Sequence, residues 1–154
     1  MTQLWLKMTA CDLGRGIDNG SISPLALVKT YINAIKKHPF QNEIYTNVSS
    51  LRALKEAEQA EVRAKNNTRL SLLDGVPISW KDLFDSKDIN TEAGSLLLSG
   101  RVPQSDAVVL QHATKAGLVC LGKTHMSELA FSGLGLNPMT KTTPCINNLD
   151  AVSG

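Results

Sequence analysis

The side chain best suited to chemistry in this sequence is Lys81, which ends a short stretch with the pattern of a β-strand. After a turn at Asp74-Gly75, Val76, Ile78 and Trp80 alternate with proline, serine and the lysine. Because successive side chains of a strand leave opposite faces, Lys81 points away from Trp80. It stands at the carboxyl end of the strand, where open α/β sheets form their active-site crevices.

The residue type alone leaves three roles open for Lys81. It can be a solvated charge that closes the strand. Burial would disfavour its ammonium form and lower its pKa from ~10.4, and a neutral lysine can take a proton from a serine hydroxyl. A neutral lysine can also form a Schiff base with a carbonyl substrate. The local spacing does not choose among these roles.

The number and spacing of the cysteines indicate the redox state of the compartment in which the protein is found. The sequence has an odd number of widely spaced cysteines, Cys11, Cys120 and Cys145. They predict free thiols in a reducing compartment, so we expect a cytoplasmic protein. Cys120 lies in a short apolar run and is expected to be a core residue and not a nucleophile.

No cofactor or metal is expected from the sequence. The three histidines, His38, His112 and His125, have no metal-ligand spacing with one another or with the cysteines. Gly133-Leu134-Gly135 lacks the full dinucleotide-binding fingerprint and does not open a helix directly after a strand.

Composition favours one globular domain. The chain has 154 residues, 42% of them hydrophobic, and 16 basic against 14 acidic side chains give a net charge of +2. The basic residues are dispersed, which makes a nucleic-acid partner an unfavoured interpretation. No apolar run approaches the ~20 residues of a membrane span, so no membrane association is expected.

The apolar periodicity predicts helices over residues 9–19, 24–37 and 47–65, and a buried strand over 118–121 in addition to the lysine strand. Charged residues of the 47–65 helix are expected to form a solvated face. Residues 82–90 are expected to form a polar surface connection. Within it, Asp82 either braces the backbone or is an ordinary loop carboxylate. Alternation of helices and strands predicts an α/β fold whose mixed, partly parallel central sheet is flanked by helices. Within one domain over 1–154, we expect a helical region at about 9–67 and a lysine-bearing α/β portion at about 70–154.

An ordered set of motifs resembles the amidase signature family. It comprises Gly75-Val76-Pro77-Ile78 before Lys81-Asp82, then Thr91-Glu92-Ala93-Gly94-Ser95, Asp106-Ala107, Ala116-Gly117, and the block from Leu121-Gly122-Lys123-Thr124-His125 to Phe131. The order and spacing match that family from about residue 13 to residue 154. The chain departs from the family at Ile146-Asn147-Asn148, where Asn-Pro is common, and at Lys141, in a stretch usually richer in glycine.

The resemblance implies a fold, a chemistry and site residues. It implies the N-terminal part of the amidase signature fold, a small-molecule amide substrate, and a Ser-cisSer-Lys mechanism in which Lys81 is the catalytic lysine. Ala130 and Ser132 match positions that line the substrate cavity. Both catalytic serines belong to a Gly-Gly-Ser-Ser-Gly-Gly-Ser-like loop and the segment after it. The sequence ends at Val152-Ser153-Gly154, where that loop would begin, and Ser153 matches neither serine.

Two functions therefore remain open. This chain either supplies the lysine to an amidase, being inactive by itself, or is a truncated, non-catalytic relative that acts as a binding or interaction module. An enzyme that forms a Schiff base at Lys81 is a weaker third alternative. Within the amidase family, the sequence does not distinguish the hydrolases from the amidotransferase branch that acts on charged tRNA. Strands 76–80 and 118–121 are expected to have uncovered edges, which favours a companion chain or self-association.

Overall fold

A computed structural model describes residues 2–153, with side chains from residue 4 onward. The α-helices are α1 (Thr2–Trp5), α2 (Ala10–Asp18), α3 (Pro24–Lys37), α4 (Gln41–Ile44), α5 (Ser50–Lys65) and α6 (Val108–Lys115). The strands are β1 (Tyr45–Val48), β2 (Pro77–Lys81) and β3 (Val119–Thr124), and short 3-10 turns lie at Leu96–Leu98 and Glu128–Ala130. The α/β prediction is confirmed. None of the helices in the described part combines the length and apolar character needed to cross a bilayer.

The strands form one mixed sheet in the order β1-β3-β2. β1 runs antiparallel to β3, with Tyr45 opposite Thr124. Val119 N donates a hydrogen bond to Val76 O, and Asp82 N donates one to Thr124 O, both at 3.0 Å. Because residue numbers rise in the same direction along both paired segments, β2 is parallel to β3. The prediction of a partly parallel sheet is therefore confirmed.

Two expectations about strands are wrong. The helix expected from residue 47 begins at Ser50, because residues 45–48 form β1 against β3. The apolar run at 118–121 is consequently in the central strand, with a neighbour on each side, and among the described strands it is β1 and β2 that have free edges. Gly122 permits this pairing, since a Cβ there would lie 2.2 Å from the carbonyl oxygen of Asn47.

The chain forms two compact units. The first contains residues up to Lys37, Ser49–Ile78 and Gln111–Leu121. Its core includes Leu13, Ile17, Ile22, Leu27 and Val76, in agreement with the predicted apolar stripes. Small side chains at Ala53, Ala57 and Ala60 are almost wholly buried and let α5 pack closely on α3.

The charged face of α5 is less solvated than expected. Glu61 accepts hydrogen bonds from Ser23 Oγ and Leu25 N at the start of α3, and these bonds, with Lys65, lower the pKa of the Glu61 carboxyl. Glu56 accepts from Cys120 N at 2.8 Å. The prediction of a solvated face is thus only partly correct, because these two carboxylates also accept hydrogen bonds from backbone N–H groups of neighbouring elements.

The turn before β2 is anchored by an ion pair between a buried carboxylate and a partly exposed arginine. Asp74 is 1% exposed and accepts from Arg63 Nε at 2.8 Å and Arg63 Nη2 at 2.7 Å. The hydrogen bonds to Asp74 raise the pKa of Arg63. Gly117 is needed beside this pair, because its φ is +90° and an added Cβ would lie 2.3 Å from Asp74 Oδ1.

The second unit contains His38–Val48, Ser79–Leu110 and the residues from Gly122 onward. Its interior is unusually polar: Asp82, Ser86, Thr91, Lys123 and Asn137 are all buried. The expected surface connection over 82–90 is therefore only partly correct, because two of its side chains, Asp82 and Ser86, face inward.

Candidate active site

A small polar cleft of about 110 Å³ lies in the second unit. Its lining residues come from the end of β2, the segment after β3 and the loop beyond it: Lys81, His125, Met126, Ser127, Ser132, Gly135, Lys141, Thr143 and Ser153. Positions far apart in sequence thus meet at the carboxyl ends of the parallel strands β2 and β3.

Lys81 is the last residue of β2 and has an exposed side chain, whereas Trp80 before it is buried. This is the alternation that the sequence predicted. Within residues 4–153, the Lys81 ammonium makes no hydrogen bond and no ion pair. The burial that a neutral proton acceptor requires stays a prediction.

Asp82 directly follows Lys81 and joins a buried ion pair. Its Oδ1 lies 3.5 Å from Lys123 Nζ, and the side chain of Lys123 is fully buried. Asp82 Oδ2 accepts from Glu92 N at 3.1 Å and Gly94 N at 3.5 Å. Asp82 therefore braces the backbone after β2, which was one of the two roles left open by the sequence.

The interaction of Lys123 with the surrounding chain explains how an ammonium can be buried in a strand. Its Nζ donates to Phe84 O at 2.6 Å and Thr91 Oγ1 at 2.8 Å, in addition to the Asp82 contact. Burial is the main influence on Asp82 and raises its pKa, while the Lys123 charge and the backbone donors oppose the rise. Sequence reasoning missed this pair; the signal was a lysine inside the otherwise small and apolar strand that ends at Thr124.

His125 lies beside the cleft immediately after β3. Its Nε2 is 3.0 Å from the carbonyl oxygen of Asn42, so Nε2 is the donor, and Nδ1 is buried without a hydrogen-bond partner among the described residues. Burial is the main cause of a lowered pKa for His125, and the nearby Lys141 charge acts in the same direction. The imidazole is therefore held in its neutral form near neutral pH.

The sequence-predicted residues Lys81 and Ser132 are brought together, whereas Ala130 is not among the residues that line the cleft. Ser132 Oγ accepts from Leu134 N at 3.2 Å. Ala130 ends the turn after Ser127 with a φ of +59°, and Leu129 before it has a φ of +49°. Such left-handed conformations cost energy in residues with a side chain and often occur at functional sites.

The loop that carries Lys141 is fixed at both sides of that residue. The amide of Asn137, a fully buried residue, donates through Nδ2 to Gly94 O at 2.7 Å and Met126 O at 2.8 Å. Asn137 N in turn donates to Thr142 Oγ1 at 2.9 Å. Thr143 Oγ1 donates to Glu43 O at 2.8 Å. These bonds keep the Lys141 backbone at the rim of the cleft.

The cleft thus contains a lysine that could accept a proton when neutral, several hydroxyl groups, and a second lysine. The lysine stands at the carboxyl end of a parallel strand, where open α/β sheets form their active-site crevices. The chain belongs to the amidase family, whose sequence profile, described as Amidase, matches residues 26–154.

Curated relatives and solved structures agree with this assignment. The chain is 36% identical over 131 residues to the A subunit of glutamyl-tRNA(Gln) amidotransferase from Thermobifida fusca (strain YX), and the match covers 85% of this chain and 26% of that protein. It is 38% identical over 120 residues to the mitochondrial A subunit of the same enzyme from Homo sapiens, covering 78% of this chain and 22% of that protein. The chain thus spans about a quarter of the length of these relatives.

Among solved structures, the native peptide amidase from Stenotrophomonas maltophilia matches with a TM-score of 0.80 and 26% identity, over 92% of this chain and 30% of that one. A protein from a vestigial complex, described as revealing the evolutionary origins of an s-triazine catabolic enzyme, matches with a TM-score of 0.89 and 27% identity. That match covers 96% of this chain and 32% of that one.

Proposed function

We propose that this chain supplies the lysine-bearing part of an enzyme that cleaves carbonyl–nitrogen bonds by a Ser-cisSer-Lys mechanism, with Lys81 as the proton acceptor. The observation that carries the proposal is the position of Lys81. Its side chain has no partner among residues 4–153 and lines a polar cleft, at the end of the strand where the family motif has its lysine. Membership of the amidase family supports the same reaction class.

In this mechanism a nucleophilic serine attacks the amide carbonyl carbon and forms a tetrahedral intermediate. A second serine passes the nucleophile's proton to neutral Lys81, and backbone N–H groups stabilise the developing oxyanion. Collapse of the intermediate breaks the C–N bond, and the leaving nitrogen takes back the proton. Ser132 and the nearby Ala130 turn would contact the substrate amide.

The two serines must come from polypeptide outside residues 1–154, either as a continuation or on a companion chain. Since the curated relatives are named as A subunits of an amidotransferase, transfer of the released ammonia, and not only hydrolysis, is an appropriate activity to assay.

A second candidate is a non-catalytic binding module derived from an amidase. It is favoured by one observation: the Lys81 side chain is exposed in the described structure, whereas a neutral lysine base requires burial. Under this alternative, Lys81 would contact a partner or ligand without transferring a proton.

The test is mutagenesis of Lys81 in the protein assembled with its serine-bearing segment. Lys81→Ala should abolish nearly all amide cleavage, and Lys81→Arg should fare little better because arginine stays protonated. Lys87→Ala, at an exposed lysine of the same unit outside the cleft, is the matched control and should retain turnover. Circular dichroism should show all three variants folded.

Near-normal turnover of Lys81→Ala would contradict the proposal. Borohydride trapping with a carbonyl substrate separates the Schiff-base alternative, since our mechanism forms no reducible adduct at Lys81. Absence of turnover from every assembled form, with Lys81 intact, would favour the binding module.

A further inference from the structure

We propose that the cleft selects substrates that carry a carboxylate close to the scissile amide, and that Lys141 binds this carboxylate. This inference rests on the proposed function, because it names the substrate class of the same cleft.

The charge of the lining residues is the first observation. Lys81 and Lys141 both line the cleft, and its lining includes no carboxylate side chain. Within residues 4–153, neither ammonium makes a hydrogen bond or an ion pair. With Lys81 neutral in the proposed mechanism, Lys141 remains as an uncompensated cation of one small cleft and favours an anionic ligand, because opposite charges attract.

The nearby acidic groups do not supply this compensation. The carboxylates that act electrostatically on His125 are Asp82 and Glu43. Asp82 is already paired with Lys123 and buried, and Glu43 does not line the cleft. The positive charge is therefore available to a ligand.

The mechanism assigns different roles to Lys81 and Lys141. Lys81 must be neutral to accept a proton from serine, so it cannot also be the lasting cation that holds an anion. Lys141 need not be neutral, because it has no part in the proton transfer. Since His125 is neutral as well, Lys141 is the residue of the lining that can bind a carboxylate as a cation.

Size and placement limit the ligand. A cleft of about 110 Å³ is well below the ~300–1,000 Å³ of pockets for drug-sized ligands, so it favours a short ligand. Ser127 and Ser132 supply hydroxyl groups in the same lining. Because hydrogen bonds at Thr142 and Thr143 fix the backbone beside Lys141, its ammonium can reach the cleft without rearrangement of the loop. A short monoamide of a dicarboxylic acid has this chemistry.

The test compares two probes of equal length in this chain: succinamate, which has one carboxylate and one amide, and its neutral diamide, succinamide. Binding is followed through NMR shifts of the residues that line the cleft. Succinamate should bind roughly five- to tenfold more tightly, as expected of one charge-assisted contact at a partly exposed site. Lys141→Gln should remove this preference and leave binding of succinamide unchanged.

Lys87→Gln is the matched control and should keep the preference, because Lys87 does not line the cleft. Equal affinity for the two probes, no shifts at the cleft, or a preference that survives Lys141→Gln would each overturn the proposal. Inorganic phosphate is a further arm: tighter Lys141-dependent binding of phosphate than of succinamate would also overturn it.

The experiment separates this inference from the proposed function, since it measures binding without turnover. A Lys81→Ala protein that still cleaves amides would refute the role of Lys81 and leave the carboxylate preference standing. Loss of the preference alone would refute the role of Lys141 while Lys81-dependent cleavage persisted.

Discussion

At the scale of single residues, three lysines of one structural unit have different surroundings. Lys123 is fully buried and shares its ammonium among Asp82, Phe84 O and Thr91. Burying an ammonium without partners is prohibitively costly, so this network is a condition of the fold around the cleft. Lys81 and Lys141, at the exposed rim, remain available for chemistry and binding.

His125 predicts how stability depends on pH. Its pKa is lowered from the ordinary value of 6.5, chiefly by burial and further by Lys141, against the opposing effects of the Asn42 carbonyl, Asp82 and Glu43. The unfolded chain therefore takes up a proton at higher pH than the folded chain does. The stabilisation is present above the unfolded pKa and is lost as pH falls through the folded pKa.

We expect the urea midpoint to fall between about pH 7 and pH 5, and to fall less steeply in His125→Gln. Glutamine can keep a donor near the Asn42 carbonyl but does not titrate. His112→Gln changes an exposed histidine and serves as the control. If His125→Gln lost stability on acidification as steeply as the unaltered chain, this prediction would be wrong.

At the scale of elements, α3 illustrates a segment whose sequence specifies its structure locally. Pro24 is its first residue, and Ser23 Oγ accepts from Ala26 N at 3.1 Å, as expected of a capping serine. Val28, Ile32 and Ile35 are buried along one stripe. Capping and periodicity agree, so the predicted bounds of 24–37 are confirmed.

The stripe makes a direct prediction for Ile32, which is 5% exposed. Ile32→Asp should unfold the chain or lower its free energy of unfolding by several kcal/mol, since it buries an unpaired charge. Asn33→Asp places the same side chain one position along α3, at an exposed site, and should be nearly neutral. Thermal unfolding followed by circular dichroism measures both. A thermally neutral Ile32→Asp would contradict the packing of α3.

At the scale of the whole molecule, several large apolar side chains remain in solvent. Phe131 is 96% exposed, Leu51 88% and Leu97 86%. Exposed apolar surface and the free edges of β1 and β2 favour association with another polypeptide.

We therefore expect this chain by itself to self-associate or to need a companion chain. On a sizing column its apparent mass should rise with concentration, and Phe131→Ser should reduce that rise. Assays on simple amides should show no turnover, because the proposed mechanism needs two further serines that we expect on polypeptide outside residues 1–154. A monodisperse monomer at all concentrations would refute the prediction of association. Lys81-dependent turnover of a simple amide would refute the prediction that this chain is inactive by itself.

The sequence by itself determined the helices with strong periodicity, the lysine strand and the family. These depend on interactions between near neighbours: caps, apolar stripes and the alternation that places Lys81 opposite Trp80. The same local information misplaced the start of α5, because four residues form β1 only through pairing with β3, far along the chain.

Only the tertiary structure decided which polar residues would be buried and which would meet. The Asp82–Lys123 pair joins residues from the ends of two strands, and the cleft joins Lys81 to Ser132 and Lys141. The physical reason is that desolvation and charge depend on every group packed around a side chain. Those groups come from distant parts of the chain, and residue type and local spacing do not specify them.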